Sequence, residues 1–116
     1  MTIQRFEVGP RMSQVVVHGG LAYLAGIVAD DLVPSVGAQT RQILGKIDRL
    51  LALAGTDKTR LLKANIWLSD ISRFAEMNAE WEAWVAPGQP PARATVEARL
   101  AKPEYLVEIM VEAVVA

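Results

Sequence analysis

The sequence predicts an α/β domain of the α+β type, in which one sheet packs on two helices in the order β-β-α-β-α-β-β. Three observations carry that expectation. Two runs rich in β-branched and aromatic residues flank Gly19-Gly20 in SQVVVHGGLAYLAGIV. Two longer segments, PSVGAQTRQILGKIDRLLALAG and SDISRFAEMNAEWEAWV, repeat their apolar residues at helical spacing. Three further stretches alternate between apolar and polar residues, as the two faces of a sheet require.

Gly19-Gly20 accepts the positive φ of a two-residue hairpin turn, so the first two strands pair there. His18, beside the turn, is the single histidine; with no second imidazole or carboxylate cluster near it, it reads as a turn neighbour. In the first helix Ile43, Leu44, Ile47, Leu50, Leu51 and Ala54 form one face, and Gly55 supplies the stop. RLLKANIWLSD is a strand with Leu62, Ala64, Ile66 and Leu68 on one side and Leu61, Lys63, Asn65 and Trp67 on the other. The second helix has Ser69 or Asp70 as its N-cap and a stripe of Phe74, Met77, Asn78, Trp81, Trp84 and Val85. Asn78 is the polar member of that stripe and is expected to bond a backbone group; the tryptophans read as core or interface filler. APGQPP breaks the chain before PPARATVEARL, and AKPE separates that strand from YLVEIMVEAVVA. TIQRFEV can add a strand at the N-terminus.

Composition narrows the function classes. At 116 residues the chain is read as a single domain, 1–116, able to bury roughly two thirds of its unfolded surface. The absence of cysteine excludes disulfides, thiolate metal sites and a cysteine nucleophile. Lys plus Arg number 12 against 13 Asp plus Glu, a net charge of -1, which argues against a nucleic-acid partner. MTIQRFEVGPRMSQ has no apolar core of a signal peptide and no run is long enough to span a bilayer, so a cytoplasmic protein without a membrane partner is expected. An apolar fraction of 52% and a mean hydropathy of +0.22 are high for a small monomer, which points to association of the chain with copies of itself.

The informative feature is the polar face of PPARATVEARL. Arg93, Thr95, Glu97 and Arg99 alternate with Ala92, Ala94, Val96, Ala98 and Leu100. If the two last strands form a hairpin, the apolar sides cover the helices and the charges share the opposite face with Glu108, Met110 and Glu112. The register of that hairpin stays open between pairing Arg93 with Glu112 and pairing Arg99 with Glu108. An arginine there is either tied into an ion-pair network or left with donors pointing into a cleft. The residues alone favour the network.

At PARATVEARL and VEIMVEA, and also in AGIVAD, LLALAGTDKTRLLKANIWLSD and FAEMNAEW, the chain resembles the RidA family of reactive-intermediate (2-imino acid) deaminases, formerly the YjgF family. The resemblance covers nearly the whole chain. It implies a chorismate-mutase-like fold and a homotrimer with three clefts between subunits. It further implies hydrolysis of 2-aminoacrylate and related enamine or 2-imino acids to a 2-keto acid and ammonia, with no cofactor because the C=N bond is already electrophilic. The family's carboxylate-binding arginine corresponds to Arg93, whose fork suits a carboxylate in a way lysine does not. The family's cysteine corresponds to Thr95, its tyrosine to Met12 and its serine to Ala25, beside Gly26. Its water-positioning glutamate corresponds to Met110, with Glu112 retained two residues later and Asn78 in a supporting role. A thioether accepts no proton, so slow turnover is expected, with Glu97 or Glu112 as candidate substitutes. The alternative expectation is a trimeric module that binds small carboxylates or regulates through them without turnover. RNA cleavage is the least supported reading, since the chain is slightly acidic.

Overall fold

The computed structural model describes residues 2–115. Six strands and two helices follow in the order β1 Gln4–Val8, β2 Ser13–His18, β3 Leu21–Leu24, α1 Val36–Leu53, β4 Leu61–Leu68, α2 Phe74–Trp84, β5 Ala92–Glu97 and β6 Val107–Val114. They form one mixed sheet of order β1-β2-β3-β6-β4-β5. The β2–β3 hairpin turns at Gly19 (φ 61°) and Gly20 (φ 78°), both in the left-handed region that only glycine enters at no steric cost.

The expected apolar face of α1 is the buried one: Ile43, Leu44, Ile47, Leu50, Leu51 and Ala54 all lie in the core. Ser35 opens the helix, its Oγ accepting from the Ala38 N–H at 3.1 Å. It closes with the Thr56 N–H donating to the Leu51 carbonyl and the Gly55 N–H to the Ala52 carbonyl, the paired bonds of a Schellman stop. Asp70 caps a 3₁₀ turn, Ile71–Arg73, through the Ser72 N–H at 3.0 Å, and the turn runs into α2. Gln39, fully buried on α1, donates to the Val33 and Glu104 carbonyls at 2.8 and 3.0 Å and accepts from the Leu106 N–H at 3.1 Å. One amide thereby ties the loops before α1 and before β6 to the helix layer. Among the described residues no helix is long and apolar enough to cross a membrane.

The last two strands correct the expectation. β5 and β6 do not form a hairpin: β5 runs parallel to β4, with Lys63 opposite Ala92 and Leu68 opposite Glu97, while β6 lies between β3 and β4, antiparallel to both. The reason is the helix between β4 and β5. A strand, helix, strand run returns the chain to the same end of the sheet, which makes the second strand parallel to the first. β6, with Val107, Ile109, Val111 and Ala113 all buried, has the apolar face that a central position requires. β5 is left as an edge strand, and it ends at Glu97, so Arg99 lies in the following loop.

The faces of β5 are also reversed from expectation. Parallel pairing sets Arg93, Thr95 and Glu97 beside Ala64, Ile66 and Leu68, the buried residues of β4, so the polar residues point toward the helix layer. Ala92, Ala94 and Val96 are exposed on the other side. The cause is register: the larger apolar side chains of β4 decide which face meets the helices, and the short alanines of β5 have too little area to oppose them. A bulge between Leu61 and Lys63 makes the further correction that Leu61 is buried (7% exposed) and Leu62 is turned out (45%). The open face of the sheet carries Trp67 and Met110, half-buried, together with the exposed Val96 and Tyr23.

Candidate functional site

Arg93 is half-buried at the sheet edge, where α2 passes over β5. Its Nη1 donates to Asn78 Oδ1 at 2.8 Å, and its Cζ lies 5.6 Å from the centre of the Phe74 ring and 5.5 Å from that of Trp81. Phe74, Asn78 and Trp81 belong to the α2 stripe, so the helical repeat builds a shelf with one polar place in it. Asn78 thus corrects the expectation of a backbone partner: its Nδ2 donates to Glu82 Oε1 at 3.2 Å, and both of its bonds are to side chains.

Within one chain Arg93 joins no ion-pair network among the described residues. The ion pairs among the described residues are Arg41–Glu80, Lys46–Asp30, Arg49–Glu7 and Arg73–Glu76, and Arg93 belongs to none. Cation–π attraction to the rings, worth about 0.5–2 kcal/mol, steadies the guanidinium without using its N–H donors. An amide acceptor uses one donor and cancels no charge. The remaining donors are available to an anion. Two residues along, on the same face, the buried Thr95 Oγ1 has no hydrogen-bond partner. Glu97 has a structural use: its Oε1 accepts from the Ile71 N–H at 3.0 Å and holds the entry to α2.

The other expected residues gather elsewhere. Ala25 continues the β2 ladder, its N–H donating to the Gln14 carbonyl at 2.9 Å, and Ile27 bridges to Ile109 of β6. Gly26 lies between these two pairings. A Cβ on Gly26 would fall 2.1 Å from Glu108 Oε2, so a carboxyl oxygen occupies the room a side chain would take. Glu108 is half-buried, and burial raises its pKa above the ordinary carboxylate value. The carboxyl against Gly26 is therefore that of Glu108, not a group at position 110. Met110 and Glu112 follow on the same open face, with Glu112 opposite Tyr23 on β3 and Lys63 on β4. Met12 is 55% exposed and lines a cleft of about 640 Å³ with Gln14, Lys46 and Arg49. His18 is exposed beside its turn, as expected, its Nδ1 3.4 Å from the Thr2 carbonyl.

The expected site residues thus form two groups on opposite faces of one sheet. Arg93, Thr95 and Asn78 lie on the helix side, and Gly26, Glu108, Met110 and Glu112 on the open side. The placement of Arg93 beside Glu112 and Met110 is overturned by the same register that reversed β5. Glu108 escaped the sequence reading because its nearness to Gly26 depends on the β3 end meeting β6. The one available signal was its alternation with Met110 and Glu112 in VEIMVEA. Among the described residues no cluster of three or more His, Asp or Glu is arranged to hold a metal ion.

Fold and site together define a class: a small sheet-on-helix protein that displays an unneutralised guanidinium on an edge strand. The family model described as Endoribonuclease L-PSP matches residues 2–115. The chain belongs to this family, whose members are also called RutC or YjgF proteins. A RutC family protein from Haemophilus influenzae is 45% identical over 112 residues, covering 96% of this chain and 97% of that protein. RutC family protein YoaB from Escherichia coli is 42% identical over 115 residues, covering 99% and 100%. The crystal structure of a YjgF family member from Neisseria meningitidis superposes with a TM-score of 0.97 at 47% identity, covering 100% of this chain and 97% of that one. A YjgF/YER057c/UK114 family member from Mycobacterium tuberculosis gives 0.88 at 28% identity, covering 98% and 100%. The mixed sheet on two helices is the fold of these structures.

Proposed function

We propose that the chain is a deaminase of 2-aminoacrylate and related enamine or 2-imino acids, acting as a homotrimer. The observation that carries this reading is Arg93: half-buried, ordered by neutral groups and unpaired with any carboxylate of the described residues. Holding an uncompensated cation in a partly desolvated place is costly unless a ligand supplies the counter-charge. A planar carboxylate matches the guanidinium fork.

The open side supplies the second half. Arg93 and Glu108 lie on opposite faces of one sheet, so they meet around a ligand only if the open face of one protomer packs against the edge of another. The apolar side chains on that face, Val96, Tyr23, Trp67 and Met110, favour such packing. In this cleft Arg93 holds the carboxylate of the imino acid and leaves C2 exposed. An enamine acid first takes a proton from solvent at C3 to become the protonated imine, C=NH2+. A water then attacks C2 while Glu108 takes one of its protons, the C=N pair moves onto nitrogen, and a neutral tetrahedral amino alcohol forms. Glu108 returns the proton to nitrogen, and the C–N bond breaks with the electron pair leaving on ammonia. The hydroxyl proton passes to the freed Glu108 carboxylate, and from it to ammonia, as the keto group forms. A carboxyl whose pKa is raised is suited to both directions of transfer. With Glu108 as the base, the proposed turnover does not depend on the side chain at position 110.

The test follows pyruvate from 2-aminoacrylate generated by a serine dehydratase. Wild-type protein is expected to accelerate its appearance over spontaneous hydrolysis, and Arg93→Ala to lose that acceleration. If Arg93→Ala equals wild type, the reading is wrong. Saturable calorimetric binding of 2-ketobutyrate without turnover would favour the binding module instead. Endoribonuclease activity, which the family description names, has less support at a net charge of -1.

A further inference from the structure

We infer that Glu82, on the exposed side of α2, is a positioning residue for Arg93, acting through Asn78. Its functional meaning rests on Arg93 being the carboxylate anchor; its geometry does not.

The ring shelf leaves the direction of the guanidinium fork undetermined. The cation–π contacts with Phe74 and Trp81 hold the guanidinium against the helix but, unlike a hydrogen bond, do not fix which N–H points where. The direction in which the fork points is set by its one directional side-chain contact, Nη1 to Asn78 Oδ1 at 2.8 Å. That contact requires the Asn78 amide to present oxygen. A carboxamide is nearly symmetric in shape, and its two ends exchange by a half-turn about the last side-chain bond. The turned amide would aim N–H at N–H on the arginine side.

Glu82 removes that freedom. It sits one helical turn after Asn78, and its Oε1 accepts from Asn78 Nδ2 at 3.2 Å. A carboxylate only accepts, so a turned amide would set oxygen against oxygen there as well. Asn78 is thus held at both ends, and its orientation survives when an incoming carboxylate competes for Arg93. No other role is visible for Glu82: it is exposed and belongs to none of the ion pairs among the described residues. The stability contributed by one exposed pair at this spacing is small.

The experiment pairs kinetics with ¹⁵N NMR of the guanidinium, Arg93 being assigned by its loss in Arg93→Lys. In wild type the Arg93 η protons are expected to be resolved and slow to rotate; in Glu82→Ala and in Asn78→Ala they average. Glu82→Gln, whose amide oxygen can accept from Asn78, restores them in part. Loss of this one contact is expected to raise KM for the imino acid about threefold to tenfold in Glu82→Ala. The double variant Glu82→Ala/Asn78→Ala should be no worse than Asn78→Ala alone, because both changes break one chain. Averaged Arg93 signals already in wild type, signals unchanged in Glu82→Ala, or additive KM effects would each overturn the inference. If no imine is hydrolysed, the proposed function falls and the NMR comparison still decides the role of Glu82.

Discussion

Among the described residues, every group that holds Arg93, the Asn78 amide and two aromatic rings, is uncharged, so the guanidinium is placed there without being neutralised. Substituting lysine keeps the charge and loses the fork, so Arg93→Lys is expected to raise KM about tenfold to a hundredfold, read in steady-state kinetics. Glu108 makes a prediction of opposite kind. Its folded pKa is raised, so the native state binds more protons than the unfolded chain between the ordinary carboxylate pKa and the raised one. Stability therefore falls as pH rises through that window. Glu108→Gln should melt higher than wild type at neutral pH, with the gain vanishing in acid, while deamination falls about a hundredfold or more. Melting curves across pH check the first part, and pyruvate release the second. Of these two residues Arg93 was singled out by the family resemblance at PARATVEARL, since its alternating pattern alone favoured an ion-pair network. Glu108 was not, because its neighbour Gly26 is set by a pairing between distant strands.

The same contrast holds for the elements. The β2–β3 hairpin and α1 were readable because their signals are local: a Gly-Gly turn, an apolar repeat, a stop. The pairing of β5 was not. Alternation reports that a segment has two faces but not which neighbour it chooses or which face turns inward, and both were settled by α2 and by the larger side chains of β4. Gly26 and Gln39 show how such placements are kept. In Gly26→Ala the new methyl would require Glu108 Oε2 to move from its 2.1 Å position; the carboxyl is the free end of a flexible side chain, so activity should fall more than stability. Gln39→Ala would orphan the Leu106 N–H and the Val33 and Glu104 carbonyls, with an expected loss of about 1–3 kcal/mol in denaturant melts.

For the whole molecule, the apolar surplus in the composition and the apolar side chains of the open sheet face are one observation made twice. Val96, half-exposed there at 50%, is the place to test it. Val96→Lys would bury an unpaired ammonium in the proposed trimer, at a cost of several kcal/mol, and should yield a smaller species by light scattering. Deamination should fail with it. In the proposed trimer, the sheet that separates Arg93 from Glu108 also makes each of them replaceable from a neighbouring protomer. Arg93→Ala and Glu108→Gln, each inactive alone, should partly rescue one another when unfolded together and refolded. In a randomly mixed ring about a quarter of the seams then bring an intact guanidinium to an intact carboxyl.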